Sequence, residues 1–312
     1  MADIYMHARL TEELIKELDY DIDLNIALLG SQGPDPLYYI QTKTYHDIAN
    51  YIHRHETRKF FQTMVTYIKQ HYNKTTKSFL FGFLSHYVMD QWLHPYVYYH
   101  TGVYKKDKQE THHMRGLHLK FERSIDCLLI QKELQIPSRK LNLTKKYFPL
   151  KSVPNDVSDL MRYTLKTEFK LKETEDMYDR SVKTMYRVLK YMVTDRFGIK
   201  KQIYKLIDVF DRKSDMFKQD ISFFRHLEKY DFHNDKRNTW YHPLSNVPTN
   251  QSVEMLFSEA KSAAKQLITN TIAYLEGTTE IALEDIFLNH SYNTGMDCEL
   301  GMDFKHIAVY RR

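Results

Sequence analysis

Residues 79–95 read FLFGFLSHYVMDQWLHP, a stretch in which most positions are aliphatic or aromatic. A helix that is apolar over most of its circumference is typical of a helix packed inside a protein. His86, Asp90 and His94 interrupt this stretch at intervals of four, so they share one face of the helix. Because an ionised aspartate buried without a partner is very unfavourable, Asp90 must be neutralised, reach water or bind something positive.

A second histidine–carboxylate pair follows in HHMRGLHLKFERSIDCLLI, residues 112–130, where His118 and Glu122 have the same four-residue spacing. Imidazole nitrogens and carboxylate oxygens are ligands that zinc accepts, and a helical i,i+4 pair points both groups at one ion. One such pair alone is more often a surface pair or a core histidine with a hydrogen-bond partner. Two pairs, one of them inside an apolar helix, favour a carboxylate-bridged site for two metal ions.

The other histidines of the first 120 or so residues leave alternatives open. His112 and His113 are adjacent and point in different directions, which favours a role at a helix start or on the surface for both. His53 and His55 in IHRHE are either ligands or part of a solvated face, and the solvated face is favoured.

Composition and periodicity predict an all-α protein. Only 9 glycines and 8 prolines punctuate 312 residues, and long segments have helical periodicity. We expect a single multi-helical domain over residues 1–312, with a metal-site half at about 1–135, further helices over about 136–275, and a C-terminal segment, 276–312, whose packing is not predicted. The segment 30–36, GSQGPDP, is expected to be a loop, as are 105–109 and 233–248. Helices are predicted at roughly 5–18, 44–55, 57–72, 76–100, 112–134, 155–170, 174–195, 199–225 and 252–275.

Charge and cysteine content exclude several classes of protein. Lys and Arg outnumber Asp and Glu by 45 to 40, an excess that suits a phosphate-bearing substrate but is too small and dispersed to predict nucleic-acid binding. The two cysteines, Cys127 and Cys298, lie far apart, so no disulfide framework is expected.

The first residues read as an amphipathic helix without a signal peptide, and no run of about 18 apolar residues occurs, so we expect a cytoplasmic protein without a transmembrane segment. The oligomeric state is not predicted.

An ordered series of motifs resembles the zinc-dependent phospholipase C family. The series comprises LGSQGPDPLYY (29–39), His46, FGFLSHYVMDQWLHP (81–95) and GLHLKFE (116–122). That family is all-helical, includes secreted bacterial phospholipases and phospholipase toxins, and shares its trinuclear zinc architecture with the fungal single-strand nucleases. The resemblance extends over about residues 1–125, with a weaker likeness at the WYHP segment, 240–243.

The resemblance implies which residues bind the first zinc. Asp35 of the GPDP loop would be one ligand, His86 another, and Asp90 the carboxylate that bridges metals. His46 is the first choice for the remaining histidine ligand and His53 the second, because an intervening loop of uncertain length blurs the alignment.

Ligands of the second and third zinc follow from the same resemblance. His118 and Glu122 match the second zinc, with His94 as its third ligand, and His7 matches the histidine of the third zinc. In the secreted members, removal of a signal peptide exposes a tryptophan whose amino group and carbonyl bind the third zinc, whereas this chain begins MADIY. We therefore expect two or three zinc ions, with the third resting on His7, Asp90 and either the amino terminus or water, and bound more weakly.

The resemblance implies a hydrolase of phosphate esters in which zinc-activated water attacks a phosphodiester and Asp35 orients or deprotonates that water. Tyr38, Tyr39, Trp92 and Tyr96 either line a headgroup pocket or pack in the core, and packing is favoured. Alternatives are a catalytically inactive metal-binding or interaction protein and a nuclease of the related family. Phospholipids and soluble phosphodiesters present the same phosphate, so the substrate is not predicted. No segment resembles the β-sandwich with which the toxin members dock on membranes.

Overall fold

A computed structural model describes residues 4–170, 176–211, 215–223 and 229–311. The fold is all-α, as the sequence predicts, and within these residues the only strands, β1 (Trp240–Tyr241) and β2 (Pro248–Thr249), form one short antiparallel pair. The helices are α1 (Ile4–Glu17), α2 (Leu24–Gly30), α3 (Lys43–Arg54), α4 (Thr57–Gln70), α5 (Lys74–Thr101), α6 (Leu117–Leu134), α7 (Leu143–Lys146), α8 (Asn155–Phe169), α9 (Met177–Val188), α10 (Ile199–Phe210), α11 (Val253–Glu276) and α12 (Leu283–Ile286).

The long helix α5 forms the centre of the molecule. It has 28 residues, most of them buried, and it contacts α1, α2, α6, α8 and α11. A capping box fixes its start, since the Asn73 side chain accepts a hydrogen bond from the backbone N–H of Thr76. Because α5 is apolar nearly all the way round, its neighbours cover it on every side, and polar residues on it are enclosed.

Two glycines allow α2 and α5 to pack with their backbones almost in contact. A Cβ atom at Gly82 would lie 1.9 Å from the carbonyl oxygen of Ala27, and one at Gly30 would lie 2.1 Å from the carbonyl oxygen of Phe79. No side chain fits between these helices at either crossing point. This contact holds the loop after α2, which carries Asp35, against the middle of α5.

Several predicted boundaries differ from the structure. α2 was not predicted and ends inside the expected 30–36 loop. The predicted helix 112–134 is divided at Gly116, whose φ of +68° lies in the left-handed region. The predicted helix 199–225 ends at Phe210 because the Asp208 carboxylate accepts hydrogen bonds from the backbone N–H groups of Lys218 and Gln219 and so turns the chain back. Residues 174–175, 212–214 and 224–225 of the predicted helices lie outside the described residues. A π-helical segment, Leu189–Val193, continues α9.

The C-terminal segment packs along the central helices. The backbone N–H of Tyr292 donates to the carbonyl oxygen of His53, and that of Tyr310 donates to the carbonyl oxygen of His100. This segment has little regular structure, so the periodicity of the sequence could not predict where it packs.

In the described part of the chain, none of the helices has the length and apolar character needed to cross a membrane. Both cysteines are buried, and neither forms a disulfide in the described structure.

Candidate metal centre

Eight side chains from five parts of the chain converge on one region beside α5, in three groups. In each group, one nitrogen or oxygen atom from every member lies within 4.8 Å of the others. Nearly all of these side chains are buried. The groups are Asp35 with His53 and His86, His94 with His118 and Glu122, and His7 with His86 and Asp90.

Asp90 occupies the middle of the three groups and is completely buried. Its Oδ1 lies 3.3 Å from Nε2 of His7 and 3.5 Å from Nε2 of His94. Its Oδ2 lies 3.3 Å from Nε2 of His86 and 3.9 Å from Nε2 of His53. In the described part of the chain neither oxygen has a hydrogen-bond partner. Burial alone would raise the pKa of Asp90, but positive charge on the imidazoles of His94, His86 and His7 outweighs it and holds that pKa well below its usual range. A bound cation would supply that positive charge in place of the imidazolium protons and leave the imidazoles neutral.

The first group joins the loop after α2 to α3 and α5. Asp35 begins a short 3-10 turn, and its Oδ1 lies 3.2 Å from Nε2 of His53 and 3.9 Å from Nε2 of His86. Nδ1 of His53 lies 2.7 Å from the carbonyl oxygen of Ala49, and Nδ1 of His86 lies 3.0 Å from that of Ser31. A carbonyl can only accept, so both Nδ1 atoms carry the proton and both Nε2 atoms present a lone pair to the centre.

Gly33 explains why the loop before Asp35 is rich in glycine. Its φ is +51°, and a Cβ atom there would lie 2.3 Å from Cδ2 of His86. Its carbonyl oxygen accepts a hydrogen bond of 3.0 Å from the hydroxyl of Tyr178. Both the backbone conformation and the space beside the imidazole therefore require glycine at this position.

The second group joins α5 to α6. Oε1 of Glu122 lies 3.2 Å from Nε2 of His94 and 3.1 Å from Nε2 of His118. Nδ1 of His94 donates to the carbonyl oxygen of Tyr292 at 3.1 Å, so its Nε2 also presents a lone pair. The His118 side chain is 28% exposed and is the member of this group nearest to solvent. Burial lowers the pKa of His118 to about 4, so its imidazole is neutral at pH 7 and available as a ligand.

The third group depends on how α1 is anchored. The Asp126 carboxylate on α6 accepts hydrogen bonds from the backbone N–H groups of Tyr5 at 2.7 Å and Met6 at 3.1 Å, at the first turn of α1. His7 follows directly and stacks on His86 with ring centroids 4.0 Å apart. The expected amino-terminal ligand falls on residues 1–3, which lie outside the described residues.

The structure places His53, not His46, beside Asp35 and His86. Nε2 of His46 lies 3.2 Å from the carbonyl oxygen of Tyr38, and His46 belongs to none of the three groups. His53 is 2% exposed, so the solvated face that its sequence context favoured is wrong for His53. The physical reason is that α3 runs inward, and its C-terminal turn reaches the core. His55, His112 and His113 are exposed, as expected.

A cleft of about 220 Å³ leads from solvent to the second group and to His53. Arg54 lies in its wall, and its Nε is buried without a hydrogen-bond partner in the described structure. No carboxylate of a described residue lies within 4 Å of the Arg54 guanidinium. The side chains of Tyr38, Tyr98 and Asn293 also line the cleft.

Of the aromatic residues singled out from the sequence, some line the cleft and others pack in the core. Tyr38 lines the cleft. Tyr96 is buried with its ring 5.3 Å from that of Trp240, which is the packing role that the sequence favoured. Tyr39 and Trp92 are partly buried against the core.

Three residues of the site were missed in the sequence. The sequence could have pointed to Arg54, because it directly follows His53 in IHRHE. Nothing in the sequence pointed to Tyr292 and Asn293, because they lie in a segment without periodicity. The Tyr292 ring lies 4.9 Å from that of His53, so the C-terminal segment closes one side of the centre.

The family model described as zinc-dependent phospholipase C matches residues 6–191. This match includes all eight side chains of the three groups. The comparison with curated proteins and the comparison with solved structures gave no match. Because the family model covers more than half of the chain and the groups that could hold metal lie within the match, the protein belongs to the zinc-dependent phospholipase C family.

Proposed function

We propose that the protein is a zinc-dependent phosphodiesterase of the phospholipase C type. The observation that carries this proposal is Asp90, a fully buried carboxylate whose two oxygens lack hydrogen-bond partners in the described structure and face four imidazole nitrogens at 3.3–3.9 Å. An apolar helix would not retain such a group without a cation to compensate it. The cytoplasmic location expected from the sequence stays a prediction.

The donor atoms fit zinc. Neutral imidazole nitrogens and carboxylate oxygens are its usual protein ligands, and carbonyl partners already fix three of the rings. The first zinc would be held by Asp35, His53, His86 and Asp90, the second by His94, His118 and Glu122, and the third by His7 and Asp90. Zinc bound there would supply positive charge against a developing phosphate anion and would lower the pKa of a water molecule.

Asp35 is the proposed general base. Its Oδ1 is buried and without a hydrogen-bond partner in the described structure, and its backbone is fixed by the 3-10 turn that follows. A carboxylate so placed can orient a water molecule toward the phosphorus and accept its proton. Glu122 lies on the same face of α6 as its partner His118, so both would point at one ion, and Glu122 is proposed as a ligand only.

Arg54 is proposed to bind the phosphate. A guanidinium donates two parallel hydrogen bonds to phosphate oxygens, and one without a carboxylate partner keeps its full charge for a substrate. Arg54 lies in the wall of the same cleft that reaches His118 and Glu122. It would therefore hold a non-bridging oxygen while the centre acts on the phosphorus.

Two other functions stay as alternatives, an inactive metal-binding protein and a nuclease. The cleft that opens onto the ligands favours a catalyst over an inactive scaffold, because a purely structural metal site is closed. A substrate panel separates all three. Chelator-treated and zinc-restored protein would be assayed with chromogenic phosphodiesters, phosphorylcholine esters and single-stranded DNA, with Asp90→Asn as the matched control.

We expect zinc-dependent release of the chromophore by the wild type and none by Asp90→Asn. Cleavage of single-stranded DNA in preference to the small esters would instead assign the nuclease. Full zinc uptake with no cleavage of any member of the panel would assign the inactive scaffold.

A further inference from the structure

Helix α10 presents its apolar side to solvent. Ile199, Ile203, Leu206 and Phe210 are 61%, 52%, 63% and 81% exposed. Their spacing of four, three and four places them in one stripe along the helix. None of the 12 residues of α10 is buried. The helix therefore contributes nothing to the core with the side that would normally face it.

The polar side of α10 attaches the helix to the rest of the protein. Asp208 accepts hydrogen bonds from the backbone N–H groups of Lys218 at 2.7 Å and Gln219 at 2.9 Å. The hydroxyl of Tyr204 donates to the carbonyl oxygen of Met192 at 3.2 Å. These contacts lie on the face opposite the stripe, so they hold the stripe outward.

Further apolar side chains on and just before α10 are exposed. Phe197 precedes α10 and is 74% exposed, Val209 is 64% exposed, and Tyr191 is 61% exposed. Exposing a large apolar surface to water is unfavourable, so such a surface usually marks a site that binds a partner or a membrane. Aromatic residues at both ends of such a surface are typical of groups that lie at a membrane–water boundary.

The charge around the stripe is basic. Residues 190–210 contain five cationic side chains, Lys190, Arg196, Lys200, Lys201 and Lys205, and two acidic ones. Both acids are occupied by backbone N–H groups, since Asp195 caps the start of α10 and Asp208 holds the following turn. Cationic side chains thus outnumber acidic ones by five to two in this segment, and a net positive charge complements a surface of anionic lipid.

We propose that α10 docks the protein on a phospholipid membrane that contains anionic lipid. The helix would lie in the plane of the interface, with Ile199, Ile203, Leu206 and Phe210 among the acyl chains near the headgroups. A second copy of the chain is a weaker candidate. One face of a 12-residue helix, about 18 Å long, offers far less than the ~800 Å² per partner of a standard interface.

The polar side of α10 packs against the segment that leads to the cleft. Its C-terminal end leads to Met216, which lines the cleft. Arg115 ties the two together, because its guanidinium donates to the carbonyl oxygen of Asp211 at 3.0 Å and lies 4.7 Å from the ring centroid of Phe217. The segment that leads to the cleft therefore packs on the polar side of α10, and the stripe faces away from it.

Vesicle flotation tests the docking surface. The zinc-loaded protein would be mixed with vesicles of phosphatidylcholine alone and of phosphatidylcholine with phosphatidylserine. We expect binding to the mixed vesicles that weakens with salt, and a loss of at least about tenfold in affinity for Leu206→Ser/Phe210→Ser. Leu288→Ser, at another exposed leucine (53%), is the matched control and should bind as the wild type does.

Other readouts separate the outcomes. Turnover of a soluble chromogenic phosphodiester should be unchanged in Leu206→Ser/Phe210→Ser, because the stripe lies outside the cleft. Failure of the wild type to bind either vesicle, or equal binding by the double variant, would overturn the docking proposal. A dimer in light scattering that the double variant converts to a monomer would also overturn it, in favour of a second copy. Vesicle binding without turnover of any ester would instead overturn the proposed phosphodiesterase function.

Discussion

At the scale of single residues, His46 and His53 lie two turns apart on α3 but have different surroundings. His53 contacts the carboxylates of Asp35 and Asp90, whereas His46 contacts a backbone carbonyl. We predict that His53→Ala loses one zinc ion per chain and at least about tenfold in turnover, since even outer partners of metal ligands cost ~10–100-fold. His46→Ala is the matched control and should keep its zinc. Elemental analysis of both variants measures the zinc content. Loss of zinc in His46→Ala alone would show that His46, and not His53, is the ligand.

Arg54 gives a second prediction at this scale. If its guanidinium binds the phosphate, Arg54→Met should lower kcat/KM for a phosphodiester by roughly 10²–10³, as removal of one donor to a developing anion does elsewhere. Arg54→Lys should recover part of this loss, because it restores charge but not the two-pronged geometry. Zinc content should stay unchanged, because a guanidinium is protonated at all relevant pH values and does not bind a cation. Wild-type kinetics in Arg54→Met would show that this residue does not touch the substrate.

The sequence predicts the helical pairs of the site better than the loop-borne ligands. His86 with Asp90, and His118 with Glu122, are readable because a helix fixes the direction of residues four apart. The sequence does not decide between His46 and His53, because the path of the chain between Asp35 and α3 determines which turn of α3 reaches the core. Arg54 and Tyr292 depend on the same kind of long-range packing.

At the scale of helices, the contact of α2 with α5 positions the loop of Asp35. A methyl group at Gly82 would lie 1.9 Å from the carbonyl oxygen of Ala27, so Gly82→Ala must separate the two helices. We predict a loss of about 1–3 kcal/mol in the free energy of unfolding, together with weaker zinc binding. Urea denaturation and zinc titration measure the two effects. Gly277→Ala is a useful reference for the substitution, because a Cβ atom there meets nothing within 4 Å, although its φ of +70° adds backbone strain. Unchanged stability in Gly82→Ala would contradict the close packing.

Helix α10 shows where periodicity alone misleads. Its pattern correctly predicts a helix from residue 199, and the usual inference is that the apolar side faces the core. In the structure the hydrogen bonds of Asp208 and Tyr204 place the polar side inward. Which side of an amphipathic helix packs depends on partners elsewhere in the chain, and a single sequence does not contain that information locally.

At the scale of the whole molecule, the three groups of ligands are held in place by different contacts. The group of His7 is held through α1 and the Asp126 hydrogen bonds, and it shares His86 with the first group. We predict that a zinc chelator empties one site before the other two. His7→Ala should remove one ion and reduce turnover while keeping the remaining pair. Simultaneous loss of all ions, or an unchanged metal count in His7→Ala, would indicate a dinuclear centre.

The all-α architecture follows from composition, whereas the closure of the site by the C-terminal segment does not. Few glycines and prolines and long periodic segments suffice to predict helices. The contacts of Tyr292 with His53 and His94 join residues that are far apart in the chain. Such contacts are set by the packing of the whole chain around α5.

Turnover of a chromogenic phosphodiester, followed as zinc is returned stepwise to chelator-treated protein, tests the zinc-dependent hydrolase most directly. We predict no turnover without metal, a rise as zinc binds, and saturation at two or three ions per chain, in keeping with the three groups of ligands. Asp90→Asn should stay at the baseline throughout. Complete zinc binding without turnover, or turnover that survives removal of the metal, would contradict the account.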